Sequence, residues 1–326
     1  MKAIYYKEQG RAADVLVLGE VATPDPGPGE VLVRVHASGV NPSDVKLRSG
    51  ARPGGMPFPL IIPHSDGAGE VVAVGGGVDA SRIGQRVWLW NASWQRAEGT
   101  AAEFVALPEA QAVPLPDKAS FAVGANLGIP ATTAAHVVFQ GGGRDSAILV
   151  NGANGTVGRL AVQFAAQSGA RVIATTSDLS VASRLRDYGA AAVLDYRDPE
   201  IAAQVLSAND GAPLSRITEV ELGANIALDA EVIAPGGRIV AFGSQLNMTP
   251  EIPFGQLMFK NVTLVAAIVY LLSDADRKAA IGRITDALEN GALDVPIGAE
   301  LPLQDCAKAH DLVETGARNG GVVLTL

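Results

Sequence analysis

Residues 146–178, SAILVNGANGTVGRLAVQFAAQSGARVIATTSD, hold the clearest change of hydrophobic period in the chain. Ser146–Asn151 is an unbroken apolar run, short enough for a buried strand. Val157, Leu160, Ala161, Phe164 and Ala165 then recur at helical spacing, and Gly169 stands where a left-handed C-terminal cap belongs. Arg171–Thr176 is a second apolar run. Further on, the pattern predicts a helix over Ser180–Tyr188, strands over Ala191–Tyr196 and Arg238–Gly243, and a helix over Asn225–Ala234. A sixth strand is predicted over Asn261–Val269. A fourth strand is required between Gly211 and Leu222, where the charges of SRITEVEL blur the pattern. Alternating strands and helices of this kind imply a parallel sheet with right-handed crossovers.

The N-terminal third follows another rule. Glu30–Ala37, EVLVRVHA, alternates with period two, and Gly67–Val78, Arg86–Trp90 and Thr100–Leu107 are further short strands. They are separated by Pro- and Gly-rich turns such as TPDPGPGE and ARPGGMPFP. A small antiparallel barrel or sandwich is expected there, with GVNPSDVKLRSG (residues 39–50) as a polar, turn-like insert. Gly128–Phe139 is predicted as a helix, closed by GGGRD. After Ser273 come helices over Asp274–Asn290 and Gln304–Thr315 and a last strand, GGVVLTL, with no sheet of its own. The chain therefore divides into a β-rich domain of residues 1–124 and 270–326 and an inserted domain of residues 125–269.

The turn between the first two runs carries the chemistry. Gly152, Gly155 and Gly158 punctuate NGANGTVG, giving A-x-G-x-x-G with Ala153 in the first position. A glycine at 155 lets a pyrophosphate approach bare backbone, and one at 158 lets the helix pack on the strand. The unpartnered N–H groups of the helix start and its dipole favour an anion. An ordinary strand–turn–helix is the plainer alternative. At the end of the second run, where NAD enzymes carry an acidic residue, Thr176 and Ser177 stand. This favours NADPH, although Asp178 lies two residues on. Arg184 either reaches a 2′-phosphate or is merely solvated.

At 326 residues, 48% hydrophobic, the chain suits two globular domains. A net charge of −9 and a pI near 5.0 argue against nucleic acid and anionic membranes as partners. The longest apolar run, Val262–Leu272, is too short for a membrane span. A single cysteine, Cys306, excludes an internal disulfide and is expected to pack in the core of an amphipathic helix. A cytoplasmic location is the default expectation.

GVNPSDVKLRSG, DGAGEVVAVG, the A-x-G-x-x-G turn, IVAFGS and AHDLVETG followed by VVLTL together resemble the medium-chain dehydrogenase/reductase superfamily. They are most similar to its zinc-free quinone oxidoreductase branch, the zeta-crystallin-like NADPH:quinone reductases. The resemblance spans essentially the whole chain. It implies a GroES-like catalytic domain, an inserted Rossmann domain with a doubly wound parallel sheet, and zinc-independent hydride transfer from NADPH to a quinone. The zinc enzymes of the superfamily place a cysteine at Asn41 and a histidine at Ser65, so no metal is expected. His64 is adjacent to that position and reads as a hydrogen-bonded loop residue.

Residue by residue, the resemblance places Asn154, Gly155, Thr156 and Val157 on the pyrophosphate and Ser177 and Tyr196 beside the adenosine half. It sets Asn225, Phe242, Gly243, Ser244 and Gln245 on the path to the nicotinamide, and Thr133 near its ribose. Ala266, Ala267 and Ile268 would present backbone to the carboxamide. Two departures stand out: Lys46 replaces a tyrosine common in the family, and Gly321 replaces a lysine before the last strand. Lys46 either contacts a phosphate or a substrate oxygen or turns outward. Asn41 either holds a ribose hydroxyl or polarises a carbonyl, or it forms an Asx turn before Pro42. Trp88, Trp90 and Trp94 either wall an acceptor pocket or fill a β core. The alternatives are reduction of an activated C=C bond (enone, enal or enoyl thioester) by the same donor, and a protein that only binds NADPH. A homodimer joined through the edge strand Val262–Val269 is expected.

Overall fold

A computed structural model gives the structure, and it describes residues 1–142 and 146–326. The contacts divide the chain into two compact units, Met1–Ile129 with Thr285–Leu326, and Pro130–Ile284. Three of the GGGRD residues expected to close the first helix, 143–145, lie outside the described residues.

The first unit begins with the strands β1 (Lys2–Tyr5), β2 (Val17–Glu20), β3 (Glu30–Val40), β4 (Asp66–Val74), β5 (Arg86–Leu89), β6 (Phe104–Pro108) and β7 (Ala112–Pro114). The second unit holds β8 (Ala147–Val150), β9 (Arg171–Thr176), β10 (Ala190–Asp195), β11 (Leu214–Glu219), β12 (Ile233–Ala241) and β13 (Thr263–Ala266). The chain then returns to the first unit with β14 (Ile297–Pro302) and β15 (Gly321–Thr325).

In the first unit the strand order is β14-β15-β3-β4-β5-β7, with β6 paired to β3; β14 and β15 are parallel and the other pairs antiparallel. The period-two reading of β3 holds: Val31, Val33 and Val35 are buried against Val71, Val87, Leu89, Val105 and Leu107. The terminal strand β15 pairs β3, which gives the orphan C-terminal strand its sheet. The segment read as a turn-like insert is instead a helix, Pro42–Ser49. Pro42 occupies its first position, and Asp44 Oδ2 accepts the Asn41 backbone N–H at 2.8 Å. These residues satisfy a helix start, which a turn reading of Asn-Pro-Ser overlooks.

In the second unit the order is β10-β9-β8-β11-β12-β13 and every pair is parallel. This is the doubly wound arrangement, with the order reversing between β8 and β11. The hard-to-read fourth strand is β11, and its charges have structural work. Arg216, 1% exposed, donates to the carbonyls of Val137 (3.2 Å) and Gln140 (3.0 Å) at the end of the helix Thr132–Phe139. That helix is shorter than expected because a π-helical turn, Leu127–Ala131, contains Pro130. The helix expected from Asn225 runs from Leu222 to Val232, and the sixth strand shrinks to Thr263–Ala266.

Candidate functional site

Parallel strands put all their C-terminal ends on one edge of the sheet, and most of the sequence-selected residues of the second unit stand there. Asn154–Val157 follow β8. Ser177 follows β9 and Tyr196 follows β10. Asn225 is tied to the end of β11, Phe242–Gln245 follow β12, and Ala266–Ile268 finish β13. Thr133 sits apart, buried in the first turn of the helix Thr132–Phe139.

The three glycines of the turn have different causes. Gly152 has φ +67° and a Cβ there would meet Val220 Cγ1 at 2.6 Å, so the backbone requires it. At Gly158 a Cβ would lie 2.4 Å from Gly152 O, which is the close helix–strand packing expected. Gly155 differs: it is exposed, its φ is −68°, and a Cβ would find only ordinary contact, 3.4 Å from Gly152 O. Nothing in the protein demands a glycine there. A ligand lying on the backbone does, and the helix Thr156–Gln167 starts at that residue. The cradle fits a pyrophosphate.

At the neighbouring strand ends, Asp178 is engaged locally: its carboxylate accepts Ser180 N–H (3.0 Å) and Ser180 Oγ–H (2.6 Å), which hold its pKa below the usual range. Arg197, which the sequence reading did not single out, donates from Nη2 to Ser177 O at 2.6 Å and makes a two-point pair with Asp195 (2.9 and 2.7 Å). That pair takes Asp195 down to about 2, through the Arg197 hydrogen bonds first. Arg197 therefore brings a guanidinium to the spot where Ser177 and Tyr196 meet, while Arg184 is exposed on its helix. Its position directly after Tyr196 at a strand end was the available signal.

A second missed group lies at the end of β11. Glu219 and Asp229 are fully buried. Asn151 Nδ2 donates to Glu219 Oε2 at 2.5 Å and to Asp229 Oδ1 at 3.2 Å, and Asn225 Nδ2 donates to Glu219 Oε1 at 3.0 Å. Burial raises both pKa values, and the Glu219 charge raises Asp229 further. Glu219 is the charge that obscured the strand; at a C-terminal strand end it anchors Asn225.

In the first unit Asn41 is 4% exposed at the helix N-cap, and its Nδ2 donates to Asp66 Oδ2 at 2.9 Å. Asp66 Oδ2 also accepts Ile129 N–H at 2.9 Å. Asn41 thus stands at a helix start with its amide on Asp66. Lys46 is exposed. Trp88 is completely buried in β5, Trp90 Nε1 donates to Ala110 O at 3.1 Å, and Arg52 stacks 5.0 Å from the Trp94 ring.

His64 is hydrogen-bonded as expected, but it is not alone. Its Nδ1 meets Ser38 Oγ at 2.8 Å and its Nε2 meets His310 Nε2 at 2.9 Å; Cys306 Sγ lies 4.0 Å from the same nitrogen. Cys306 is fully buried, as expected, and burial pushes its thiol pKa up and both imidazole pKa values down.

A β-rich unit with a C-terminal strand returning to it, and an all-parallel doubly wound unit with a bare glycine at its first helix, define the class of two-module nucleotide-dependent dehydrogenases. Two family models match the chain: the alcohol dehydrogenase GroES-like domain over residues 27–117 and the zinc-binding dehydrogenase over residues 156–286. The chain belongs to the quinone oxidoreductase family of the medium-chain dehydrogenase/reductase superfamily. It is 31% identical to a quinone oxidoreductase of Pseudomonas aeruginosa over 95% of each chain. It is 28% identical to the rat quinone oxidoreductase over 100% of this chain and 98% of that one. A mycobacterial protein solved in complex with NADPH superposes with a TM-score of 0.86 at 27% identity, covering 100% of both chains.

The zinc in the second family description does not fit the residues at the superfamily's ligand positions. Asn41 has its amide on Asp66, and Ser65 Oγ shares a hydrogen bond with Ser93 Oγ at 2.8 Å.

Proposed function

We propose that the protein is an NADPH-dependent quinone oxidoreductase whose hydride transfer uses no catalytic metal. The observation that carries this is Gly155, a glycine required by nothing in the fold, at the start of the helix beneath the parallel-strand edge. Asn154, Gly155, Thr156 and Val157 cradle the pyrophosphate. Ser177, Tyr196 and Arg197 receive the 2′-phosphate end. Asn225, held by Glu219, and Phe242–Gln245 with Ala266–Ile268 line the nicotinamide end, and Thr133 serves its ribose. When bound, the cofactor supplies a hydride from nicotinamide C4, and a quinone is electrophilic enough to take it without a Lewis acid.

The unit of Met1–Ile129 and Thr285–Leu326 serves as the catalytic module and the other as the cofactor module. Asn41 keeps Asp66 and the N-cap of its helix fixed, and exposed Lys46 offers a cation to an anionic substrate oxygen.

A homodimer follows from the second unit. β13 has a partner on one side only, and Leu246, Met248, Phe254 and Phe259 are 80, 77, 68 and 87% exposed. No described helix is long and apolar enough to cross a membrane. A sealed thiol suits a reducing compartment, and we assign the protein to the cytoplasm on that ground.

Steady-state NADPH oxidation with benzoquinone, phenanthrenequinone and a simple enone tests the reading. The quinones are expected to turn over fastest. Turnover confined to the enone transfers the assignment to activated alkenes, and absence of pyridine nucleotide binding overturns it.

A further inference from the structure

We propose that His64, His310 and Cys306 form a buried metal site for a single Zn²⁺ ion, separate from the superfamily's zinc positions. All three side chains belong to the first unit and are 0% exposed. Their ligand atoms, two imidazole nitrogens and one thiol sulfur, lie within 4.8 Å of one another. Imidazole nitrogen and thiolate sulfur are both donors that zinc takes, and three protein ligands leave the fourth position of a tetrahedral ion to a water molecule.

The surrounding hydrogen bonds aim His64. Thr100 Oγ1 donates to Asp66 O at 2.5 Å, so it accepts from Ser38 Oγ at 2.8 Å. Ser38 in turn accepts from His64 Nδ1–H, and His64 Nε2 is left with a lone pair facing His310 and Cys306. A ligating histidine held by its other ring nitrogen is the usual outer-shell arrangement. His310 Nε2 then donates the one proton between the rings.

The distances leave room for an ion. Tetrahedral ligation with ordinary Zn–N and Zn–S bonds sets the nitrogens roughly 3.3 Å apart and the sulfur roughly 3.6 Å from each. The observed separations are 2.9 Å between the nitrogens and 4.0 Å from sulfur to His64, with sulfur within 4.8 Å of the His310 nitrogen, so ligation needs shifts of a few tenths of an ångström at His64 and up to about 1 Å between Cys306 and His310. On binding, the thiol releases its proton and the His310 proton moves from Nε2 to Nδ1, so both rings ligate in the neutral form. The buried Asp44 carboxyl and the buried Arg48 guanidinium both act electrostatically on Cys306, in opposite directions.

The ion ties the helix Cys306–Glu314 to the loop that leads into β4. Because the site is sealed, it is filled while the chain folds. The test uses the full-length protein produced in defined medium containing Co²⁺ or Zn²⁺, followed by metal analysis and absorption spectroscopy. One equivalent of cobalt per chain, with a thiolate-to-cobalt charge-transfer band, is expected. Cys306 is the only cysteine in the chain, so the band on the unaltered protein assigns the ligand without any variant. Cys306→Ser and His310→Gln are expected to lose the band and most of the metal, and zinc loading is expected to raise the thermal midpoint. Metal-free protein from supplemented medium, or cobalt bound with no thiolate band, overturns the proposal. So does metal retained unchanged by Cys306→Ser.

Discussion

At the scale of single residues, two glycines three positions apart serve different masters. Gly155→Ala leaves the fold intact, because its Cβ meets only an ordinary contact, and is expected to raise the KM for NADPH about tenfold or more. Gly152→Ala is expected to cost stability, about 1–2 kcal/mol or more, because of its positive φ and the Val220 contact. Chemical denaturation beside cofactor kinetics separates the two. Arg197→Met is expected to weaken NADPH about tenfold while leaving the KM for NADH nearly unchanged, read as the ratio of kcat/KM values. The Glu219–Asp229 pair has a pH signature. Both folded pKa values lie above their unfolded values, so the folded chain holds a proton that the unfolded chain has released. Stability therefore falls as pH rises toward the folded pKa values. Asp229→Asn mimics the protonated acid. Its thermal midpoint is expected to gain on that of the unaltered chain as pH rises above the ordinary carboxylate range.

At the scale of elements, the sequence conveyed best what rests on period. β3 alternated and its valines are buried; the strand–turn–helix–strand over 146–176 is present as β8, its helix and β9. It conveyed least where a buried charge stands in for an apolar side chain. The charges of Arg216 and Glu219 blurred the strand expected at β11, yet one caps a helix end and the other anchors two asparagines. The strands β1, β2 and β7 carried too few residues to show a period. The same limit held for the site: residues on the glycine turn were legible, whereas Arg197 and Asp229 depend on which strand ends become neighbours. The helix Pro42–Ser49 offers a test at this scale. Asn41→Ala removes its N-cap and strips Asp66 of one donor, and is expected to cost roughly 2 kcal/mol, measured by denaturant unfolding.

At the scale of the molecule, the second unit ends on an edge strand beside large exposed apolar side chains. Light scattering at micromolar concentration is expected to give twice the chain mass, and Phe259→Asp to halve it without unfolding the chain. A net charge of −9 makes each copy repel the other at long range, so the proposed dimer rests on apolar contact.

The chain's one thiol is sealed beneath the helix Cys306–Glu314, beside His64 and His310. No reagent reaches it until that helix lifts. The rate at which a small disulfide reagent modifies the native protein is then a direct clock of local opening at the C-terminal end. Its dependence on denaturant concentration tells whether the helix breathes alone or only with global unfolding.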